Sequence, residues 1–212
     1  MYALPLADEM FLIGHDGYSG KPLISDNALD IVLAGAILGE LIFAQRIGIR
    51  EDNALVPYDQ RPIGDRVCDP VLVEILKQSE THTVRAWVEH LRDNSRTPIA
   101  LRLVRVGLID RVEARAMLKT TIRYPSRDRI AAAGSEARLR YMLDHPGNLD
   151  EQTATMAGLV IAGGLEFLLG GASTREVKEG LLRMAQMARP DMRFLMAGVE
   201  SAVAALAMSA RR

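Results

Sequence analysis

The chain has 212 residues and a nearly balanced charge, with 26 basic residues against 27 acidic ones and a formal net charge of -1. Its hydrophobic content of 49% is typical of a folded globular protein and excludes disordered and fibrous classes. The length fits one large domain or two small ones. The near-neutral total excludes a uniformly basic protein, such as many that coat nucleic acids.

A single cysteine, Cys68, excludes an internal disulfide, a cysteine zinc cage and a CxxC redox pair. This usage favours a reducing compartment. The first basic residue is Lys21, so we expect no secretory signal. The longest uncharged apolar stretch, 152–165, is shorter than the roughly 18 to 20 residues that cross a bilayer. We therefore expect a cytoplasmic protein whose membrane contact, on the inner face of a membrane, is peripheral.

Aromatic residues make up only 5% of the chain, whereas Ala, Leu and Met are frequent. This composition favours helix-on-helix packing over a β-sandwich. The sequence shows no internal repeat, low-complexity tract or long linker. We therefore expect one mainly α-helical domain over residues 1–212.

Two helices are predicted first along the chain. Residues 5–13 fit a short helix with Pro5 in its first turn and acidic residues beside its positive end. Asp26 or Asn27 is expected to cap a second helix that runs to about Gln45, because apolar residues recur there at helical spacing. This second helix is the strongest core element of the first half.

A small β-hairpin and a short helix come next. Segments 47–49 and 54–56 flank a polar turn, which is typical of two short antiparallel strands. Asp69 is expected to cap a helix that begins with Pro70 and ends near Gln78.

The middle of the chain predicts two more helices and contains one ambiguous segment. Residues 83–91 form one amphipathic pattern, and Pro98 is expected to open a separate helix over 99–106. Segment 108–121 mixes signals, because a hairpin that turns near 113–115 competes with a continued helix. The pattern of residues leaves both alternatives open.

A helix and a restart are predicted in the next segment. Ser126 can cap a helix that runs to about Leu143, and Asn148 or Asp150 can start the next one.

Two helices complete the predicted set. Ser173 and Glu176 have the spacing of a capping box for a helix that ends near Ala188. Pro190 is expected to start a final helix that runs through Ala207.

Motifs for catalysis, metal binding or cofactor binding are absent from the sequence. The histidines are isolated from one another and none stands in an HxxxH or HExxH pattern; they are His15, His82, His90 and His145. The glycines match neither a dinucleotide fingerprint nor a Walker loop. Cys68 is more typical of a small buried residue than of a nucleophile. We expect no catalytic residue, no metal and no cofactor.

Charge is distributed unevenly along the chain. Between Arg85 and Arg140 there are 13 basic residues against six acidic ones, so that segment carries +7 and the remainder carries -8. Spread around several helices, these charges are an ordinary solvated surface. Gathered on one face, they form an anion-binding surface whose guanidinium groups can bind phosphate bidentately. The sequence leaves both possibilities open.

An anionic membrane is the partner that the segment favours. Met117 and Leu118 stand between Arg115 and Lys119, and apolar residues beside cations suit a lipid surface. Nucleic acid would use the same positive field, but stacking aromatics are few and no helix-turn-helix or RNP signature is present. A dimer or core contact is the alternative use of Met117 and Leu118.

Several blocks of the sequence resemble, in order, those of the Golgi phosphoprotein 3 family. They are LPLADEMFLIGHDGYSGKP, ALDIVLAGAILGELIFAQRI, RPIGDRVCDPVLVEIL, VRAWVEHL and LVRVGLIDRVEARAMLKTTIRYP. Bacterial relatives of that family exist, and we expect the chain to be one of them. The resemblance implies a central helical bundle ringed by amphipathic helices, with a hairpin over 109–122. It also implies a peripheral adaptor, like the eukaryotic members that bind phosphatidylinositol 4-phosphate and glycosyltransferase tails.

The family's lipid-binding residues are carried over only in part. Its lipid-contacting Trp falls on Ser25 and the Arg within the following helix falls on Ala34. Of two further Arg residues, one matches Arg96 and the other falls on Asp93, with Arg92 adjacent. The resemblance therefore supports an anionic contact without a specific phosphoinositide headgroup site.

Our leading hypothesis is a non-enzymatic peripheral membrane or adaptor protein. Its expected lipid- or anion-binding residues are Arg92, Arg96, Arg102 and Arg105. The apolar residues of the expected membrane or oligomer hairpin are Ala116, Met117 and Leu118. The alternative is an oligomerisation or scaffold module in which the hairpin binds a second copy or a protein partner, and a small-molecule enzyme is a third hypothesis. No nucleic-acid partner is expected.

Overall fold

The computed structural model describes residues 4–116, 119–170 and 174–209. Within these ranges the chain is mainly α-helical, as the composition predicts, with two small antiparallel strand pairs. The helices are α1 Leu6–Ile13, α2 Asp26–Phe43, α3 Cys68–Lys77, α4 Val84–Arg105, α5 Arg129–Ala132, α6 Gly134–Asp144, α7 Glu151–Gly163, α8 Thr174–Gln186 and α9 Pro190–Ser209. The strands are β1 Ile47–Ile49, β2 Leu55–Pro57, β3 Val112–Ala116 and β4 Lys119–Arg123. Short 3-10 turns lie at Pro146–Asn148 and Glu166–Leu169.

Helix α2 is the centre of the core. It packs against α1, α4, α7 and α9, and apolar residues are buried around most of its circumference. A helix that is apolar on all sides must be covered on all sides. Gly35 lets α9 approach closely, because a Cβ at this position would come within 2.4 Å of Val199 Cγ2.

Helix α4 differs from the sequence prediction at Pro98. The structure has one continuous helix from Val84 to Arg105 with Pro98 inside it, whereas we predicted two helices divided there. Proline removes one backbone donor and is unfavourable in a helix interior. Leu91 and Ser95 before it and Ile99 after it are all buried, so packing on both sides keeps the helix continuous.

The cap of α2 also differs from the prediction. Ser25, rather than Asp26 or Asn27, accepts a hydrogen bond from the Ala28 amide at 3.4 Å. Asp26 is the first helical residue, and its carboxylate is paired with Arg96 instead.

Asp65, rather than Asp69, accepts the backbone amides at the start of α3, whose cap position is Val67. Asp65 Oδ1 accepts the amides of Val67 at 2.8 Å and Cys68 at 2.9 Å. Asp69 accepts the amides of Ile63 and Gly64 in the preceding loop.

Ser126 does not cap a helix. It pairs with Ile109 in an antiparallel bridge, and Asp128 caps α5 two residues later. Asp150 caps α7, which settles the choice left open with Asn148. Ser173 of the predicted capping box lies outside the described residues.

The ambiguous segment 108–121 contains a β-hairpin, as the family resemblance implied. Strands β3 and β4 pair from Val112 opposite Arg123 to Ala116 opposite Lys119. The chain therefore reverses after Ala116 and not at 113–115. Met117 and Leu118 lie outside the described residues.

Candidate anion-binding surface

Arg96 lies on α4 opposite the start of α2, and its guanidinium is already occupied there. Nε donates to Asp30 Oδ1 at 2.7 Å, Nη1 donates to the Asp26 carboxylate, and Nη2 donates to the Asp26 carbonyl at 2.7 Å. Burial raises the pKa of Asp30, and the neighbouring Arg96 opposes that rise. Two carboxylates and one backbone carbonyl of α2 thus take three of the donors that an external phosphate would need.

Arg102 points into the protein interior. Its guanidinium donates from Nε to Asp8 Oδ1 at 2.8 Å, from Nη1 to Asp65 Oδ2 at 2.9 Å and from Nη2 to Glu40 Oε1 at 3.1 Å. Burial lowers its pKa, but the carboxylates of Glu40 and Asp8 outweigh that effect and hold the pKa above its ordinary value. Arg102 therefore neutralises acidic groups inside the fold.

Arg92 and Arg105 occupy different parts of the α4 surface. Arg92 Nε pairs with Asp93 Oδ1 at 2.9 Å. Arg105 is exposed near the end of the helix and has no ion pair with a described residue. Residues four apart share a helix face, so Arg92 and Arg96 lie together, whereas Arg102 and Arg105 point elsewhere. The structure thus does not bring the four arginines to one place.

The hairpin and the end of α4 carry a group of cations in which sequence reasoning singled out Arg105 and Arg115 but not Arg111 or Arg123. Arg115 and Arg123 have no ion pair with a described residue, and the nearest carboxylate to Arg111 is Glu113 at 3.8 Å. Apolar side chains beside them are exposed, with 62% of Val106 and 45% of Ile122 accessible to solvent. We define the hairpin surface as Arg105, Val106, Arg111, Val112, Arg115, Ile122 and Arg123.

Both faces of the hairpin combine a cation with an apolar residue. Directly opposed residues of antiparallel strands project to the same face, which places Val112 with Arg123. Alternation along the strands places Arg115 and Ile122 together on the other face. A charge count alone could not find this arrangement, because it depends on the strand register.

The base of the hairpin is fixed to the loop that follows α1. The Tyr124 amide donates to the Gly20 carbonyl at 3.1 Å and the Ser126 amide donates to the Gly17 carbonyl at 2.9 Å. Gly20 has a φ of +66°, and a Cβ there would lie 2.3 Å from Pro125 N. Only glycine combines this backbone conformation with so close an approach. The loop and the hairpin base therefore form one unit.

His15 and Cys68 are buried and structural. His15 Nδ1 bonds to the Phe11 carbonyl at 2.7 Å, its Nε2 has no partner, and burial lowers its pKa to about 4. The Cys68 thiol donates to Glu40 Oε2 at 3.1 Å, and burial raises its pKa well above its ordinary value. Neither group resembles an activated base or nucleophile.

Two other histidines line a cleft of about 350 Å³ that is separate from the hairpin surface. His82 and His90 contact Trp87 edge to face, with ring centroids 6.1 Å and 5.8 Å from it. His90 Nε2 also bonds to Glu74 at 2.6 Å. No arginine lines this cleft.

One set of potential metal ligands exists among the described residues, namely Glu40, Asp65 and Cys68, whose ligand atoms lie within 4.8 Å of one another. The Arg102 guanidinium already donates to both carboxylates, and the thiol keeps its proton. Since a metal requires deprotonated ligands and repels a guanidinium, this donor set does not fit a metal ion.

Helix α9 is the one candidate membrane span among the described residues, by length and composition alone. It packs against α2, α4 and α7 and buries Met192, Leu195, Met196 and Val199 there. A helix that packs into the core of a globular protein is equally apolar, so the composition of α9 is weak evidence that it crosses a membrane.

Comparison with known proteins gives one family match. The model of a family described as Golgi phosphoprotein 3 (GPP34) matches residues 6–206. The matched region begins with α1, includes the hairpin surface and ends within α9. A search of curated proteins finds no match to the chain.

Proposed function

Because the chain belongs to the Golgi phosphoprotein 3 family, we propose that it is a non-enzymatic peripheral adaptor that binds anionic membranes through the hairpin surface. The observation that carries the proposal is the exposure of Val106 and Ile122 among arginines that lack close carboxylate partners. In the cell, we expect this contact on the cytoplasmic face of a membrane.

The physical strength of such a contact is sufficient for reversible binding. A basic side chain near an anionic surface contributes about 1 kcal/mol, so the four arginines of the hairpin surface together supply at most about 4 kcal/mol. Insertion of apolar groups adds about 0.8 kcal/mol per buried CH₂, to which Met117 and Leu118 would contribute if they enter the lipid. The sum is that of a peripheral protein that dissociates at high salt.

We expect this contact to depend on the charge of the lipid more than on the headgroup. Arg96, which matches a lipid-contacting position in the family, is paired with Asp26 and Asp30. Ser25 and Ala34 supply no cation or aromatic ring at the other matching positions. Arg115 and Arg123 lie on opposite faces of the hairpin, so they cannot converge on one phosphate group.

Co-sedimentation with vesicles tests the proposal. The wild-type protein should sediment with phosphatidylcholine vesicles that contain about one third phosphatidylglycerol, and should be released at about 0.5 M salt because surface charges are then screened. Equal and negligible sedimentation with neutral and anionic vesicles would overturn the proposal.

A matched pair of variants locates the contact. Arg115→Glu and Arg183→Glu change the net charge equally, and both arginines are exposed, but Arg183 lies on α8 away from the hairpin. Arg115→Glu should weaken binding at least tenfold, since a reversal removes about 2 kcal/mol. Arg183→Glu should change it less than twofold, and an equal loss in both variants would contradict a localised contact.

Self-association is the second candidate function, because a second copy could cover the same exposed apolar side chains. Light scattering over a roughly hundredfold range of protein concentration separates the two cases. A dimer that no longer binds vesicles would favour the oligomerisation role, whereas a monomer that binds anionic vesicles supports the membrane role.

A further inference from the structure

A cluster of three carboxylates and one guanidinium joins four elements of the core. Asp8 from α1, Glu40 from α2 and Asp65 from the loop before α3 all accept hydrogen bonds from Arg102 on α4. Full ionisation would leave a net charge of -2 in a largely buried place. Uncompensated buried charge is strongly unfavourable, so the cluster favours retention of a proton.

Asp8 is the carboxylate that is least stabilised as an anion. Its side chain is 3% exposed, and among the described residues its one ion-pair partner is Arg102. Asp65 accepts two backbone amides as well, and its pKa is lowered because those bonds and Arg102 outweigh its burial. Glu40 accepts the Ala7 amide and the Cys68 thiol in addition to Arg102.

The charged and titratable neighbours of Asp8 can be identified on each side. Arg102 attracts its negative charge, and Glu40 and Asp65 repel it. On another side of α1, Glu9 is already paired with Arg138 at 2.6 Å. Burial raises the pKa of Asp8 to about 7 in spite of Arg102.

Helix α1 is the element that Asp8 holds in place. The helix has 8 residues, all of them buried, and the Ala7 amide bonds to Glu40. It also carries Phe11, whose ring contacts the Tyr124 ring at 5.5 Å between centroids. A charge on Asp8 therefore acts on a helix that supports the base of the hairpin.

We propose that the docking of α1 onto α2 and α4 is linked to proton binding at Asp8, so that the helix is held most tightly at mildly acidic pH. In the undocked segment Asp8 loses its proton near pH 3.8, whereas in the docked helix it keeps the proton to about pH 7. Between these limits each rise of one pH unit increases the opening constant up to about tenfold, and above them it stays constant. This proposal is independent of membrane binding.

Hydrogen exchange of the full chain tests the proposal. His15 packs on Phe11 of α1 and titrates with the opposite effect on opening, so the wild-type and Asp8→Asn sequences are both compared in a His15→Gln background. In that background, opening constants for the α1 peptide, corrected for the pH dependence of intrinsic exchange, should be roughly 50- to 100-fold larger at pH 8 than at pH 5. A peptide from the middle of α7 serves as the control for global unfolding and should change by much less. An unchanged α1 opening constant would overturn the proposal.

Asp8→Asn is the decisive variant, because the amide oxygen can still accept the Arg102 hydrogen bond but cannot titrate. Its α1 opening should lose the pH dependence, and retention of the wild-type dependence would assign it to another group. Should this variant not fold, the carboxyl carbon resonance of Asp8 in the wild-type protein provides the second test. A titration midpoint near pH 7 supports the proposal, and a midpoint below about 5 refutes it.

Discussion

Arg96 and Asp30 form an ion pair that joins α4 to α2, with Nε and Oδ1 2.7 Å apart and both side chains no more than 20% exposed. The two residues are 66 positions apart in the chain. The pair shows that a cation in a positively charged segment can hold two helices together instead of binding an external partner.

Arg96→Ala should lower the free energy of unfolding by about 2 kcal/mol, because it leaves Asp30 without its partner in a place with little solvent. Vesicle binding by the folded variant should change less than twofold. Urea denaturation and co-sedimentation measure the two effects. Arg92→Ala is the control, since Asp93 is 76% exposed and its pair should contribute less than about 1 kcal/mol. If Arg96→Ala lost vesicle binding but kept its stability, Arg96 would instead be part of the lipid-binding surface.

Gly20→Ala should destabilise the protein by at least 2 kcal/mol and weaken vesicle binding, because a Cβ would collide with the backbone at Pro125. Gly64→Ala is the matched control. Gly64 also has a positive φ, at +82°, but a Cβ there meets nothing within 4 Å, so only about 1 kcal/mol is expected. Equal thermal and urea stability in the two variants would contradict a close backbone contact between Gly20 and Pro125.

Asp65→Ala should cost at least 1 kcal/mol more than Asp69→Ala. Each carboxylate accepts two backbone amides, but Asp65 also binds Arg102 at 2.9 Å. The difference in urea stability therefore measures the attraction between Asp65 and Arg102 minus the repulsion between Asp65 and the other carboxylates of the cluster. Equal costs would indicate that the pair adds no net stability.

His15→Gln should reverse part of the acid sensitivity of the fold. The pKa of His15 is about 4 in the folded protein and 6.5 in the unfolded chain, so its contribution is fully present above pH 6.5 and is lost as the pH falls through 4. The maximum loss is about 3 kcal/mol. Urea denaturation at pH 7.5 and pH 4.5 measures it, and the Gln variant should lose less stability on acidification than the wild type. An identical loss in both proteins would contradict this assignment.

Asp8 and His15 have opposite effects on stability over nearly the same pH range. Asp8 stabilises the folded protein as the pH falls from about 7, whereas His15 destabilises it. The two contributions therefore partly cancel in the wild-type protein between pH 4.5 and 7. In the Asp8→Asn variant the pH dependence of stability should show the contribution of His15, and in the His15→Gln variant it should show that of Asp8.

Local patterns in the sequence predicted most of the fold. Apolar spacing and end signals located α1, α2, α7 and α9 because these helices bury much of their surface. They failed at Pro98, where tertiary packing outweighs the local preference against proline. The sequence pattern also assigned the start of α3 to Asp69, whereas Asp65 bonds the amides there. The path of the preceding loop decides which carboxylate reaches those amides.

The candidate site was less predictable from the sequence. A segment charge of +7 correctly indicated an excess of cations, but pairing decides which of them remain available. Arg102 reaches Asp8 across 94 positions, a contact that no local pattern reveals. Arg111 and Arg123 became candidates only when the strand register and the lack of close carboxylates were known.

The hydrogen bond between Gly20 and Tyr124 also determines when the base of the hairpin can form during synthesis. The loop at Gly17 and Gly20 leaves the ribosome more than 100 residues before its hydrogen-bond partners Tyr124 and Ser126. Contacts between distant parts of a chain form late, because the entropy cost of closing the intervening loop comes before the favourable energy of the contact. A nascent chain therefore cannot present the hairpin in its final orientation until Ser126 has emerged, so membrane recruitment should follow synthesis of the first half rather than accompany its start.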